Sequence, residues 1–264
     1  MKKSMSLGSK ILLALMLGFF YLPIIYIIVF SFNGNRSLTH WSGFSLQWYE
    51  KMFKNSAMTD AIVYTFIIAV LATIIATILG TITAIGLSKS NRVLKVLVER
   101  ISDFPIMNPE IVTAIGLLMF FSSLGIKKGF GTLLLAHVMF CTPYVMLSVG
   151  PKLRSLDPNL ADAALDLGAT PWQALTKIIV PQIMPGIISG ALIAFTMSFD
   201  DFIISYFVTG NGISNISILV YTMSKRINPS INALSTIIIL LITIVLIIIN
   251  IVPMIKEKEE KKLT

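Results

Sequence analysis

The chain of 264 residues is 55% hydrophobic and only 13% charged, with a mean hydropathy of +0.84. A soluble domain carries about 25% charged residues, roughly twice this fraction. An ordinary soluble enzyme is therefore excluded, and the composition indicates a protein that lies mostly in lipid. The net charge of +8 does not predict a nucleic-acid partner, because no basic face with base-reading elements accompanies it.

Six stretches are apolar enough and long enough to cross a bilayer, which takes about 20 residues of helix. They predict an all-α, polytopic membrane protein with a single transmembrane domain over 1–264. The predicted spans are 11–32, 61–87, 104–124, 130–149, 183–208 and 232–255. The third is the weakest of the six, since Pro105, Pro109 and Glu110 fall in its first turns.

The connecting segments differ in their content of Lys and Arg. Of the 21 Lys and Arg residues, fourteen lie in 1–10, 88–103, 150–182 and 256–264. Cytoplasmic segments carry the excess of these residues, so both termini are predicted to be cytoplasmic. Segments 33–60 and 209–231 are then external. The second of these is predicted to be a loop that ends where Asn228 starts the last helix.

The external segment 33–60 is rich in aromatic residues and includes Trp48 and Tyr49. Positions 49, 52 and 53 share a helical face, which predicts a short amphipathic helix on the outer surface. Two interpretations of Trp48 and Tyr49 stay open. They belong to an interfacial aromatic belt, or they offer ring faces to an organic cation near an external entrance.

Segment 150–182 has the start and stop signals of two helices. Asp157 followed by Pro158 predicts a helix start, and Gly168 predicts its left-handed end. Thr170 and Gln173 have the spacing of a capping box, and the second helix is predicted to end at Pro181 and Pro185. A simple connector needs only a few residues, so this elbow predicts a surface for a cytoplasmic partner.

Small residues and carboxylates mark specific positions in the predicted spans. Small side chains that let helices approach closely are Ala72, Ala76, Gly80, Ala84, Gly186 and Gly190. Two carboxylates, Asp200 and Asp201, fall in the fifth predicted span, where an acidic residue normally faces a cavity or a partner. Ser198 and Asp201 share a helical face, which predicts a polar lining for a cation pathway. The alternative is that both acids are solvated among the outer lipid headgroups.

Three further residues are ambiguous or structural. Glu110 is either a pathway residue or a first-turn carboxylate that complements its helix dipole. His137 is predicted to be a hydrogen-bonded packing residue, since no metal-ligand spacing accompanies it. Cys141 is predicted to pack within the fourth span. We assign no metal site and no catalytic residue.

The elbow carries a family resemblance. Asp162-Ala163-Ala164, then Gly168, then Ile178-Ile179-Val180-Pro181 resemble the EAA loop of ABC importer permeases, with Asp for Glu and Val for Leu as conservative departures. The resemblance implies a six-helix type I, MetI-like architecture. It also implies that Asp162, Ala163, Ala164, Gly168, Ile178 and Pro181 couple the chain to a separate ATPase.

Other segments narrow the resemblance to permeases of bacterial spermidine/putrescine importers. They are 43–49, 107–112, 198–202 and 207–210. The resemblance implies a polyamine permease of the bacterial cell (plasma or inner) membrane. It would work with a second homologous permease, two ATPase subunits, an external polyamine-binding protein and the surrounding lipid. The implied pathway residues are Asp200, Asp201, Ser198, Glu110, Trp48 and Tyr49.

The chain itself is not predicted to be an enzyme. It lacks a G-x-x-x-x-G-K-[ST] loop for nucleotide. We therefore expect no cofactor on this chain, and we expect ATP with Mg on the partner ATPase. One alternative is a permease of the same family for another solute, such as an anion or ferric iron. A second is a self-contained secondary transporter or channel, which would leave the elbow unexplained.

Overall fold

The computed structural model describes residues 6–224, 228–244 and 247. Within these ranges every regular element is a helix, and the residues pair as strands only at an isolated bridge between Asn33 and Phe44. The helices are α1 (Leu7–Ser31), α2 (Gln47–Lys54), α3 (Ser56–Ser88), α4 (Arg92–Met107), α5 (Glu110–Ser123), α6 (Phe130–Arg154), α7 (Leu160–Asp166), α8 (Pro171–Ala174), α9 (Val180–Asp200), α10 (Ile203–Val208), α11 (Ile216–Met223) and α12 (Pro229–Ile244).

Four helices in the described part are long and apolar enough to cross a membrane: α1, α3, α6 and the run Pro171–Asp200. The number rises to 5 if α4 and α5 are counted together as one bent span. The apolar helix α12 is shorter. The last predicted span, 232–255, overlaps α12, but beyond residue 244 it lies outside the described residues except for 247.

The prediction of one continuous helix over 104–124 is wrong. Residues 104–107 end α4, and α5 begins at Glu110 after a bend of 110° between the two helices. Pro109 explains the break, because the residue before a proline avoids the helical region. Asn108 accordingly has extended backbone angles of φ −90° and ψ 149°.

The helix predicted over 183–208 differs at both ends. It begins earlier, because α8 continues through the π-helical turn Leu175–Ile179 into α9. In that turn the amide of Val180 donates to Leu175, five residues back, and a wider turn accommodates a proline ring that would clash in a regular helix. Pro181 therefore does not end the helix. The helix ends at Asp200, and the backbone leaves the helical region at Asp201, which has φ −59° and ψ 127°.

The chain forms two compact units, one of which is Asp60–Leu219. In this unit α6 packs along α9, and α5 packs against α10. Glycines allow the close contact: a Cβ on Gly80 would lie 2.7 Å from the Val145 Cβ, and one on Gly190 would lie 3.1 Å from the Val145 Cα. Val145 of α6 is thus held between α3 and α9, which confirms the predicted packing role of these glycines.

The other unit comprises Met1–Thr59 and Val220–Thr264, and in it α2 follows an ordered loop. The predicted short helix is confirmed, but the face that it buries is not the predicted one. Trp48 and Met52 are buried, whereas Phe53 is 65% exposed. On the exposed side, the pKa of Glu50 is lowered mainly because its carboxylate accepts a hydrogen bond from Lys54.

The segment 209–231 contains more structure than the predicted loop. Helix α11 lies within it, after the left-handed residue Gly212. The start of α12 agrees with the prediction, because the Asn228 side chain accepts a hydrogen bond of 3.2 Å from the backbone amide of Ser230.

Candidate functional site

A cavity of about 390 Å³ in the unit Asp60–Leu219 collects the acidic side chains of the predicted spans. Its lining contains three carboxylates and neither Lys nor Arg: Pro105, Glu110, Thr113, Phe140, Tyr144, Met197, Asp200, Asp201, Phe202, Ile203 and Ile204. Elements distant in sequence, α4, α5, α6, α9 and α10, meet here. Acidic groups beside aromatic rings on an apolar background suit a cation with an aliphatic body.

Asp200 and Glu110 reach this cavity from two helix ends. Asp200 is the last residue of α9, and Glu110 is the first residue of α5; both are exposed. Glu110 therefore has both of the properties that the sequence left open, since it lies in a first turn and also lines the cavity. The break after Asn108 places it there, because a continuous helix over 104–124 would not put a helix start at Glu110.

Asp201 borders the same cavity but is only 8% exposed. Its Oδ1 accepts a hydrogen bond from the Ile204 amide at 3.2 Å, and its Oδ2 accepts one from the Ser205 amide at 2.7 Å. These bonds satisfy the free amides at the start of α10. The adjacent acids thus differ in surroundings: Asp200 is exposed, whereas Asp201 holds the break between α9 and α10.

Ser198 was predicted to line the pathway, but its hydroxyl points elsewhere. Ser198 is 2% exposed, and its Oγ lies 2.7 Å from His137 Nδ1. The other ring nitrogen, Nε2, lies 2.9 Å from Ser205 Oγ and 3.5 Å from Asp201 Oδ2. The prediction that His137 is a hydrogen-bonded packing residue is confirmed. Its partners could not be predicted, because they depend on the break after Asp200.

Phe140 and Tyr144 were not singled out from the sequence, although they line the acidic cavity. They are spaced four residues apart on α6, with His137 one turn before Phe140. A search for polar and aromatic residues on one face of the fourth predicted span would have grouped all three.

The two aromatic candidates of segment 33–60 are engaged in packing. Trp48 is 3% exposed, and its indole N–H donates to the Asn33 carbonyl at 2.6 Å. The Lys51 ammonium lies 4.4 Å from the centre of its ring. Tyr49 is half-buried, and its hydroxyl lies 2.7 Å from Ser31 Oγ. The burial of Trp48 agrees neither with a place in a lipid-facing aromatic belt nor with a ring face that is open to an organic cation.

The elbow of segment 150–182 contains both predicted helix signals. Gly168 has φ of +84° after α7, and Thr170 and Gln173 form the predicted capping box at the start of α8. The first helix starts later than predicted, at Leu160, because the Asp157 side chain accepts from the Asn159 amide in a turn. Within the EAA-like positions, Ala164 is buried and Asp162, Ala163 and Pro181 are exposed.

The elbow also presents large apolar side chains to its surroundings. Leu167 is 89% exposed and Trp172 is 70% exposed, on either side of Gly168. Isolated exposed apolar residues are ordinary, but neighbouring ones on a rigid element mark an interaction surface. In the described part of the chain, no group of three or more His, Cys, Asp or Glu residues is placed to hold a metal ion.

Comparison with known proteins identifies the family. Residues 76–255 match the family described as "Binding-protein-dependent transport system inner membrane component". The spermidine/putrescine transport system permease protein PotC of Haemophilus influenzae is 38% identical over 225 residues, which cover 85% of this chain and 88% of that protein. The putrescine transport system permease protein PotI of Escherichia coli is 37% identical over 241 residues, which cover 87% of this chain and 84% of that protein.

Solved structures agree on the fold. A bacterial ABC transporter involved in the import of the acidic polysaccharide alginate has a chain that matches with a TM-score of 0.69 at 18% identity, covering 96% of this chain and 99% of that chain. The predicted all-α, MetI-like permease architecture is therefore confirmed. The chain belongs to the inner membrane components of binding-protein-dependent transport systems, and its role is transport and not catalysis.

Proposed function

We propose that the chain is a permease subunit of an ABC importer for polyamines, and that the acidic cavity receives the solute. The observation that carries this proposal is the cavity lining, in which Glu110 and Asp200 are exposed carboxylates and no Lys or Arg accompanies them. Relatives named as spermidine/putrescine and putrescine permeases, 36–38% identical to this chain, support the same solute class.

The fold by itself does not select the solute, because a similar fold serves an importer of an acidic polysaccharide. The charge of the cavity is more informative. Exposed carboxylates without a basic partner attract an ammonium group within a few ångströms, and they attract it more strongly where the cavity wall excludes water. Two separate carboxylates suit a flexible chain with more than one ammonium group. Phe140 and Tyr144 would contact its methylene groups.

The elbow would couple this cavity to ATP hydrolysis on another subunit. Asp162, Ala163, Ala164 and Gly168 would seat in the ATPase, and the exposed Leu167 and Trp172 would extend the contact. Ile178 and Pro181 lie in and just after the π-helical turn that joins the elbow to α9, and α9 ends at Asp200. A displacement of the elbow would thus be transmitted along one helix to the acidic cavity.

The assembly proposed for this chain contains a second homologous permease, two ATPase subunits and an external polyamine-binding protein. ATP and Mg would bind to the ATPase subunits. The chain would lie in the bacterial inner membrane with both termini cytoplasmic, in accordance with the distribution of its Lys and Arg residues. The two permeases would alternate between inward- and outward-facing states.

Uptake by the complete transporter, reconstituted in lipid vesicles with ATP inside, tests the solute assignment. Asp200→Asn and Glu110→Gln should each lower the uptake of labelled spermidine at least fivefold while the complex still assembles. Asp60→Asn is the matched control, because Asp60 is an exposed carboxylate that does not line the cavity. Uptake that is unchanged in both cavity variants would show that the solute does not meet these carboxylates.

The same vesicles separate the alternatives. Omission of the ATPase subunits should abolish uptake, whereas a self-contained secondary transporter would continue to work on an ion gradient. Competition by an anion or by ferric iron, without competition by putrescine, would assign the chain to another solute of the same family.

A further inference from the structure

His137 connects three helices at the position where the fifth predicted span breaks. It belongs to α6 and is 1% exposed, while its ring nitrogens contact Ser198 of α9 and Ser205 of α10 at 2.7 and 2.9 Å. The two serines lie on opposite sides of the break at Asp201. A single imidazole therefore fixes the end of one helix relative to the start of the next.

The surrounding polar groups converge on the same break. Asn215 Nδ2 lies 3.0 Å from the Asp201 carbonyl oxygen and 2.9 Å from Ser205 Oγ. The Asn215 Oδ1 accepts from the Ile218 amide at 2.9 Å, which links α11 to the cluster. All of these groups are buried, and a buried polar group left without its partner is unfavourable. The cluster thus has one favoured arrangement, in which the break is kept open.

The break shapes the cavity beside Asp200. In a regular helix each residue is rotated by about 100° from the last, so a continuous helix over 183–208 would carry Asp200 and Asp201 on neighbouring faces. In the structure the helix ends at Asp200, and the Asp201 carboxylate accepts from the amides of α10. Ile203 and Ile204 of α10 therefore line the cavity beside the exposed Asp200.

We propose that His137 is a positioning residue for transport: by holding Ser198, Asp201 and Ser205 together, it keeps the α9–α10 break open and keeps α10 in place as the wall of the acidic cavity beside Asp200. His137 does not line that cavity, so it acts through α10 beside Asp200 and does not contact the solute. This inference rests on the proposed function, in which Asp200 receives a cationic solute.

The reconstituted transporter distinguishes positioning from a merely structural role by two rates measured together. His137→Leu should lower spermidine uptake at least fivefold while binding-protein-stimulated ATP hydrolysis stays within twofold of the original, so that more ATP is hydrolysed for each spermidine imported. His137→Gln retains a group near the Nε2 position and should recover at least half of the lost uptake. Cys141→Ala is the control, since Cys141 is one turn further along α6 and its thiol contacts the Ala194 carbonyl at 3.4 Å.

The outcomes separate this inference from the proposed function. An unchanged ratio of spermidine imported to ATP hydrolysed in His137→Leu would overturn the positioning role, whether both rates fall in parallel or neither falls. If His137→Leu does not assemble, His137→Asn decides, because its shorter amide does not reach the Nε2 position, and an original ratio in His137→Asn would overturn the positioning role. If Asp200→Asn and Glu110→Gln both leave uptake intact, the proposed function fails first. If only Asp200→Asn does, the role of His137 fails together with that of Asp200. If Asp200→Asn abolishes uptake while His137→Leu leaves the ratio unchanged, only the role of His137 is wrong.

Discussion

Asp200 and Asp201 are consecutive residues with opposite surroundings. The side chain of Asp200 is exposed at the acidic cavity, whereas that of Asp201 accepts hydrogen bonds from the Ile204 and Ser205 amides and is 8% exposed as a residue. The difference arises because the helix ends between them. One carboxylate is thus available to a solute, and the other maintains the backbone that presents it.

Neutralising these two acids should have different effects on stability. Asp201→Asn replaces one acceptor oxygen by an amide nitrogen, which cannot accept from a backbone amide. An unsatisfied buried group costs about 1–3 kcal/mol, so the purified complex should melt at a lower temperature. Asp200→Asn removes no such bond and should melt like the original protein. Thermal unfolding in detergent measures both, and equal melting temperatures would contradict the assigned role of Asp201.

The sequence predicted the polar residues of this region better than its backbone. Ser198 and Asp201 share a face of a continuous helix, which predicts that they lie together, and the structure does bring them together. It does so around His137, with the helix broken. No proline or glycine marks Asp201–Phe202 as a break. The chain is held there by side chains that are distant in sequence, namely His137 of α6 and Asn215 just before α11. Tertiary contacts of this kind leave no local pattern.

The break before Glu110 is the opposite case, because the sequence does contain a local signal for it. Asn108-Pro109 predicts extended backbone, whereas the apolar composition of 104–124 predicts one continuous span. Hydropathy measures only whether a segment is apolar enough for lipid, and two helices meeting at 110° satisfy it as well as one. The elbow was predicted most accurately, because Gly168 and the Thr170–Gln173 capping box are local devices that fix their own geometry.

The contact between Gly80 and Val145 predicts a sharp size limit. Gly80→Ala would place its Cβ 2.7 Å from the Val145 Cβ and 2.9 Å from the Thr142 carbonyl. Overpacking of this kind costs about 1–3 kcal/mol. Gly86→Ala on the same helix is the matched control, because nothing lies within 4 Å of its added Cβ. We expect only Gly80→Ala to lower the melting temperature of the complex, and equal effects would refute the close approach of α3 to α6.

Asn33 organises the loop before α2 and should be intolerant of substitution. Its side-chain nitrogen, Nδ2, lies within 3.1 Å of oxygens of Asn35, Ser37 and His40. Its Oδ1 accepts a hydrogen bond of 2.8 Å from the Ser42 backbone amide. Asn33→Ala would remove the partner of these partly buried backbone groups, at about 1 kcal/mol for each group.

Limited proteolysis measures this effect, because Arg36 is an exposed trypsin site within the loop. Asn33→Ala should be cleaved after Arg36 several times faster than the original protein. His40→Ala is the control, since the contact with Asn33 uses the His40 backbone carbonyl and not its side chain. Equal cleavage rates in all three proteins would mean that Asn33 does not hold the loop.

Gly168 provides a test of coupling that is independent of packing. Its φ of +84° is unfavourable for other residues, and an added Cβ would meet nothing within 4 Å. A substitution there therefore acts only through backbone conformation, at about 1–2 kcal/mol for an L-residue held in the left-handed region. Asn tolerates that region better than a β-branched residue does, so Gly168→Asn should retain more coupling than Gly168→Val. Measured as spermidine imported per ATP hydrolysed, the order should be Gly, then Asn, then Val. An order set by side-chain volume, with Asn and Val equally impaired, would instead indicate that the ATPase surface itself contacts this position.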